Sequence, residues 1–172
     1  IPLAVGLVGR NGDDLPLKAE GGAPLERGIA VLSQDTQTIT FSGLPERPVL
    51  SINRNFSAPI KLVTNLSAAD LQHLAARDSD AFNRWQALQT LAIRLLVSNV
   101  SALRTQNTPA EDNGLIDALA AILADPSLEP AYVALALAVP SKADIAREIG
   151  NDVDPDAIFG ARRLLRAAIA RR

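Results

Sequence analysis

Near residue 66 the apolar pattern of this 172-residue chain changes period, from the two-residue step of strands to the three- and four-residue steps of helices. One kind of layer cannot run through such a change, so a β-rich part followed by an α-rich part is expected. Residues 1–65 form the first domain of this reading and residues 66–172 the second.

In the first part, Ile1–Val8, Ile29–Leu32, Gln37–Phe41, Pro48–Asn53 and Ile60–Val63 are short runs rich in Val, Ile, Thr and Phe. Within Gln37–Phe41, Ile39 and Phe41 point one way and Thr38 and Thr40 the other, as a half-buried strand requires. Turn formers separate the runs: Asn11-Gly12, Gly21-Gly22, Gln34-Asp35, and Gly43 with Pro45 and Pro48. Asn11-Gly12 after an apolar run is a hairpin signal, since both residues tolerate positive φ. Short strands at this spacing predict a sandwich or a barrel. Some 65 residues is small beside a complete sandwich of about 100. The chain opens on Ile1 and contains no methionine. The first feature fits a piece cut from a longer protein; the small sandwich implies trimming at its start, and a last helix that runs into Arg172 with no stop signal implies trimming at its end.

In the second part, Ser67 with Asp70 forms a capping box ahead of a helix of about ten residues. Phe82, Trp85, Leu88, Ala92, Leu95, Leu96, Asn99 and Leu103 then mark one long amphipathic helix with its apolar stripe, Trp85 buried within it. Thr108-Pro109 with Glu111, Glu129-Pro130, Ser141 with Asp144, and Asp154-Pro155 are further start signals. Short loops between them predict antiparallel neighbours.

Little in the composition points to a charged partner. The net charge of -2 offers no basic surface for nucleic acid or anionic lipid. No apolar run approaches the ~20 residues that cross a bilayer, and a chain without cysteine has neither disulfides nor thiolate ligands.

Catalytic chemistry is as sparse. A peptidase zinc site takes about three protein ligands, usually with two His on one helix face; this chain has only His73. His73 is read as a mid-helix imidazole without a ligand role, and no G-x-S-x-G elbow presents a nucleophilic serine. Asp152, Asp154 and Asp156 alternate like the start of a calcium loop, but its sixth and twelfth positions hold Ala157 and Arg163 instead of Gly and Glu. Asp154 is read as a helix cap. Gly6, Gly9 and Gly12 do not form a phosphate-cradling fingerprint. Arg162, Arg163, Arg166, Arg171 and Arg172 are read as a solvated helix face. No catalytic, cofactor-binding or metal-binding residue is expected.

Two segments go further. Asn55-Phe56-Ser57-Ala58-Pro59-Ile60-Lys61-Leu62 is followed by Ala76-Arg77-Asp78-Ser79-Asp80-Ala81-Phe82-Asn83-Arg84-Trp85-Gln86-Ala87. In this order the pair resembles the post-catalytic region of the bacterial aminopeptidase N family, the zinc-dependent alanyl aminopeptidases. Ile1–Val5 with Asn11-Gly12, Leu137–Ser141 and Val153–Pro155 extend the resemblance over nearly the whole chain, and Arg77–Trp85 is its most specific stretch. The resemblance implies an Ig-like β-sandwich over 1–65 and the first helices of a larger helical domain over 66–172. It also implies a cytoplasmic parent metallopeptidase of the membrane alanyl aminopeptidase type, which releases N-terminal residues from peptides with zinc held elsewhere. The segment would then be non-catalytic, linking the catalytic domain to the helices that enclose the active-site chamber. Its partners would be the parent's remaining domains, with self-association through faces that excision leaves bare. An independent helical protein-interaction module is the alternative, although no fixed-period repeat is visible.

Overall fold

The first strand organises what precedes the helices. In the computed structural model, which describes residues 1–21 and 25–172, β1 (Pro2–Val8) lies between two antiparallel partners. On one side it pairs with β3 (Ile29–Val31), Leu3 opposite Ala30; on the other with β4 (Val49–Ile52), Leu7 opposite Leu50. β2 (Leu25–Glu26) completes a four-stranded sheet in the order β2-β3-β1-β4. Alternation along β1 separates Leu3, Val5 and Leu7 from Ala4, Gly6 and Val8. Both sets are largely buried, so β1 is covered on both faces.

The β2–β3 hairpin has no Asn-Gly signal. Its two-residue loop is Arg27-Gly28, and both residues adopt positive φ, 50° and 81°, the requirement of the tight primed turns. At Asn11-Gly12 the chain does reverse: Gly12 takes φ 93° and donates to the Gly9 carbonyl, and Leu15 donates back to Leu7. The returning arm contributes only the bridge Val8–Asp14. Gly22 of the expected Gly21-Gly22 turn lies outside the described residues.

Two expected strands do not form. Gln37–Phe41 makes a single bridge, Phe41 to Ala19, flanked by amide bonds from Glu20 to Thr40 and from Ser42 to Lys18. A period-two pattern supplies a face, but a strand also needs a partner of matching length. The partner stretch here is hemmed in by Pro16 and by Gly21 in left-handed conformation. Ile60–Val63 joins no ladder, and Val63 stands 82% exposed.

The helices start close to where the caps place them. α1 (Ala68–Arg77) begins at the Ser67–Asp70 capping box, and α5 (Lys142–Ile149) at the Ser141–Asp144 box. α4 (Pro130–Ala136) and α6 (Pro155–Ala170) each open on proline. Asp154 caps α6 by accepting from the amides of Asp156 and Ala157. α2 (Ala81–Arg104) is the long helix. α3 (Asn113–Ala124) starts later than Thr108-Pro109 suggests, with Asp112 as its cap accepting from Leu115. Asn99 explains the delay: its side chain donates to the Ala110 carbonyl and accepts from the Ala110 amide, which holds that residue out of the helix.

The chain divides into two compact units, Ile1–Gln86 and Ala87–Arg172, so the first turns of α2 belong to one and the remainder to the other. In the second unit Leu88, Leu91, Leu96 and Val100 of α2, Leu115 and Ile122 of α3, Ile145 of α5 and Ile158 and Leu165 of α6 are buried. There α3 packs against α4 and α6, and α5 against α6. No helix among the described residues is long and apolar enough to cross a membrane.

Candidate functional site

A partly buried polar knot in the first unit joins the segment after β4 to the turn between α1 and α2. At its centre is Arg54, in a tight turn (Arg54–Phe56) that begins one residue after β4. Its Nε donates to Ser51 Oγ at 2.8 Å, and Nη1 and Nη2 grip both carboxylate oxygens of Asp14 at 2.9 and 2.6 Å. Nη2 also donates to Asp78 Oδ1 at 3.0 Å. The guanidinium lies against the backbone of β1, where a Cβ on Gly6 would come within 2.0 Å of Arg54 Cζ.

The α1–α2 turn closes the knot from the other side. Asp78 Oδ1 accepts from the Asp80 amide at 2.9 Å. Asp80 then caps α2 by accepting from Asn83, and its second oxygen accepts from the Asn55 amide at 3.0 Å. Asn83 donates to Ser51 Oγ at 2.7 Å, and Ser79 donates to Asp14 at 2.9 Å. Beside it, Asn53 clasps the backbone of Ala58 through both amide atoms, and Ser57 links Asn53 to the amide of Ala4.

The electrostatics follow from this geometry. The hydrogen bond from Arg54, aided by Ser79, holds the Asp14 carboxyl below its usual range, and the same bond raises Arg54. Asp78 moves the opposite way. Its side chain is fully buried, and the loss of solvent pushes its pKa up against the pull of Ser51, Asp80 and Arg54. Four donors of Arg54 are engaged within the chain, out of the five a guanidinium carries. The arrangement is chemically a clamp.

The residues singled out in the sequence are placed elsewhere. Half-buried His73 has Nε2 at 2.8 Å from the Gly9 carbonyl, so that nitrogen carries the proton and donates it. Asp152 pairs with Arg104, Asp154 caps α6 and Asp156 lies in its first turn. The C-terminal arginines disperse: Arg162 donates to the Pro140 carbonyl at 2.8 Å, Arg171 pairs with Glu111 and Arg172 with Asp117. Among the described residues no three His, Cys, Asp or Glu are grouped so as to hold a metal ion.

Trp85 departs from expectation. It and Phe82 are half-buried, forming a tilted aromatic series Phe56–Phe82–Trp85 with centroids 5.3 and 5.8 Å apart. Asn83 takes the inward position instead, because its amide reaches Ser51. Sequence reasoning missed the knot. Its available signal was Asp78-Ser79-Asp80 between two helices, a cap with more acceptors than one helix start needs.

The two segments that carry the family resemblance thus meet in one network. Comparison with known proteins agrees. Residues 68–172 match a domain of unknown function (DUF3458_C) described as ARM repeats, and residues 1–65 a domain of unknown function (DUF3458) of Ig-like fold. The chain belongs to the DUF3458_C family, with a DUF3458 part ahead of it. As a DUF3458 chain it is an Ig-like part followed by a helical, ARM-like part, and it is homologous to aminopeptidase N. It is 40% identical to aminopeptidase N of Caulobacter vibrioides over 156 residues, which is 90% of this chain and 17% of that protein. It is 32% identical to aminopeptidase N of Escherichia coli over 170 residues, 99% of this chain and 19% of that protein. A crystal structure of Legionella pneumophila aminopeptidase A in complex with aspartic acid superposes with a TM-score of 0.77 at 23% identity, covering 99% of this chain and 18% of that one. At that identity the likeness concerns the fold. The DUF3458 chain spans less than a fifth of the length of these relatives.

Proposed function

We propose that this DUF3458 chain is a non-catalytic segment of a zinc aminopeptidase, linking the catalytic domain to the helices that enclose the active-site chamber. The observation that carries the reading is the match to aminopeptidase N over 90–99% of the chain. The Arg54 knot supports it, since the most family-like residues serve as a clamp. In this reading residues 1–65 are the Ig-like sandwich and 66–172 the first helices of the enclosing domain.

Zinc does not fit the residues present. The one histidine gives Nε2 to a backbone carbonyl, and Asp14 and Asp78 are engaged by Arg54. The metal, the bound peptide and the reacting groups therefore belong to other parts of the cytoplasmic parent, and no chemical step is assigned to this chain. Bare helical faces of the isolated segment would self-associate, and sedimentation over a concentration series reads that directly. For the main reading, the full-length protein carrying this segment and the segment alone are assayed for zinc content and for alanyl arylamide hydrolysis. The full-length protein is expected to show both and the segment neither. Zinc-dependent hydrolysis by the segment, or an inactive full-length protein, would overturn the reading.

The ARM-repeat description of residues 68–172 favours a second reading, a helical protein-interaction module. The intact mass of the gene product separates the two, because the first requires a chain several times longer.

A further inference from the structure

We propose that the Arg54 knot is a conformational latch: the turn Asp78–Asp80 and the first turn of α2 open from Ser51–Phe56 locally, while the strand ladder stays paired. Three independent features each weigh against the closed state. First, three carboxylates, Asp14, Asp78 and Asp80, face a single guanidinium, so the closed knot carries excess negative charge. Second, Asp78 Oδ2 is buried and makes no hydrogen bond, a cost that opening to water removes. Third, the segment holds Asn53, Asn55 and Phe56 at φ 63°, 52° and 51°. Phe56 is an aromatic residue in left-handed conformation, a region that bulky side chains avoid and that relaxes once the contacts over-determining it are gone.

Against these stand polar bonds that almost all converge on Arg54, Asp78 and Asp80. Such a cluster opens as a unit, because losing Arg54 frees the groups that orient the others. The β1–β4 and β1–β3 ladders do not depend on it: their pairing is backbone to backbone. The closed latch has its own reporters. The amides of Asn55, Asp80 and Asn83 each donate to a carboxylate of the knot, whereas the Val5 amide donates to Gly28 and the Leu32 amide to Ile1, away from it.

The test is native-state hydrogen exchange on the 172-residue chain and on Arg54→Lys, which keeps the charge and loses the fork. Exchange at Asn55, Asp80 and Asn83 is expected to speed at least about tenfold, with Val5 and Leu32 changing less than about twofold. If Arg54→Lys does not fold, Asp14→Asn, which removes only the more exposed arm, is read by the same pattern. Equal acceleration at all five amides would show that the knot opens only with global unfolding. Unchanged rates at Asn55, Asp80 and Asn83 would show that Arg54 does not govern it. Either result overturns the latch.

Discussion

Arg54 occupies the space that a side chain on Gly6 would need, with its Cζ 2.0 Å from the position of a Cβ there. Gly6 does not adopt positive φ, so an alanine suits the local backbone, and the three nearest atoms its Cβ would meet are all of the Arg54 guanidinium group. The guanidinium cannot swing aside freely, because Asp14, Asp78 and Ser51 all hold it. Gly6→Ala is therefore expected to cost about 1–3 kcal/mol in chemical denaturation. Arg54→Ala, which strands the buried Asp78, is expected to cost about 3–5 kcal/mol. The decisive measurement is the double variant: with the guanidinium gone, adding Gly6→Ala should cost less than about 0.5 kcal/mol. Additive costs would mean that the two residues do not compete for the same space.

Acid should act on the two partners of Arg54 in opposite directions. The folded pKa of Asp14 is depressed, so its stabilisation is present above the ordinary carboxylate value and is lost as pH falls through the folded one. The folded pKa of Asp78 is raised, so its contribution is full below the ordinary value, near pH 4, and is lost as pH rises through the folded one. Asp78→Asn should flatten the stability profile on the alkaline side of pH 4, and Asp14→Asn on the acid side. Denaturation midpoints across a pH series would show this; a profile unchanged by Asp78→Asn would refute the assignment.

Asn99 sits on the apolar stripe of α2, where a purely hydrophobic reading predicts that leucine is an improvement. The structure predicts the opposite sign. Asn99 is 2% exposed and holds both polar atoms of the Ala110 backbone. Asn99→Leu should cost about 1–2 kcal/mol through the loss of two hydrogen bonds, and amide exchange should rise at Ala110. A stabilised variant would contradict the clamp.

Ser141 accepts from the Asp144 amide while Asp144 accepts in return. α5 has only eight residues, so its cap is a large share of what holds its first turn. Ser141→Ala should cost about 1 kcal/mol, whereas Ser141→Thr should be close to neutral. Thermal or chemical denaturation of the pair gives the comparison directly.

What this sequence determined by itself is local. Ser67 with Asp70, Ser141 with Asp144 and Asp154-Pro155 start helices because each satisfies orphaned amides within its own four residues, with no distant partner required. The apolar run at β1 is strong for the same reason, being long enough to declare itself. Tertiary structure alone decided the remainder. Gln37–Phe41 has the alternation of a strand but finds one bridge, since pairing depends on a partner's length and register. Trp85 yields the inward position to Asn83 because Ser51, 32 residues earlier in the chain, waits there as an acceptor. The Arg54 knot was least legible of all: Ser51, Arg54 and Asp78 are unremarkable polar residues until folding removes water from them, and only then do they need one another and the exposed Asp14 beside them.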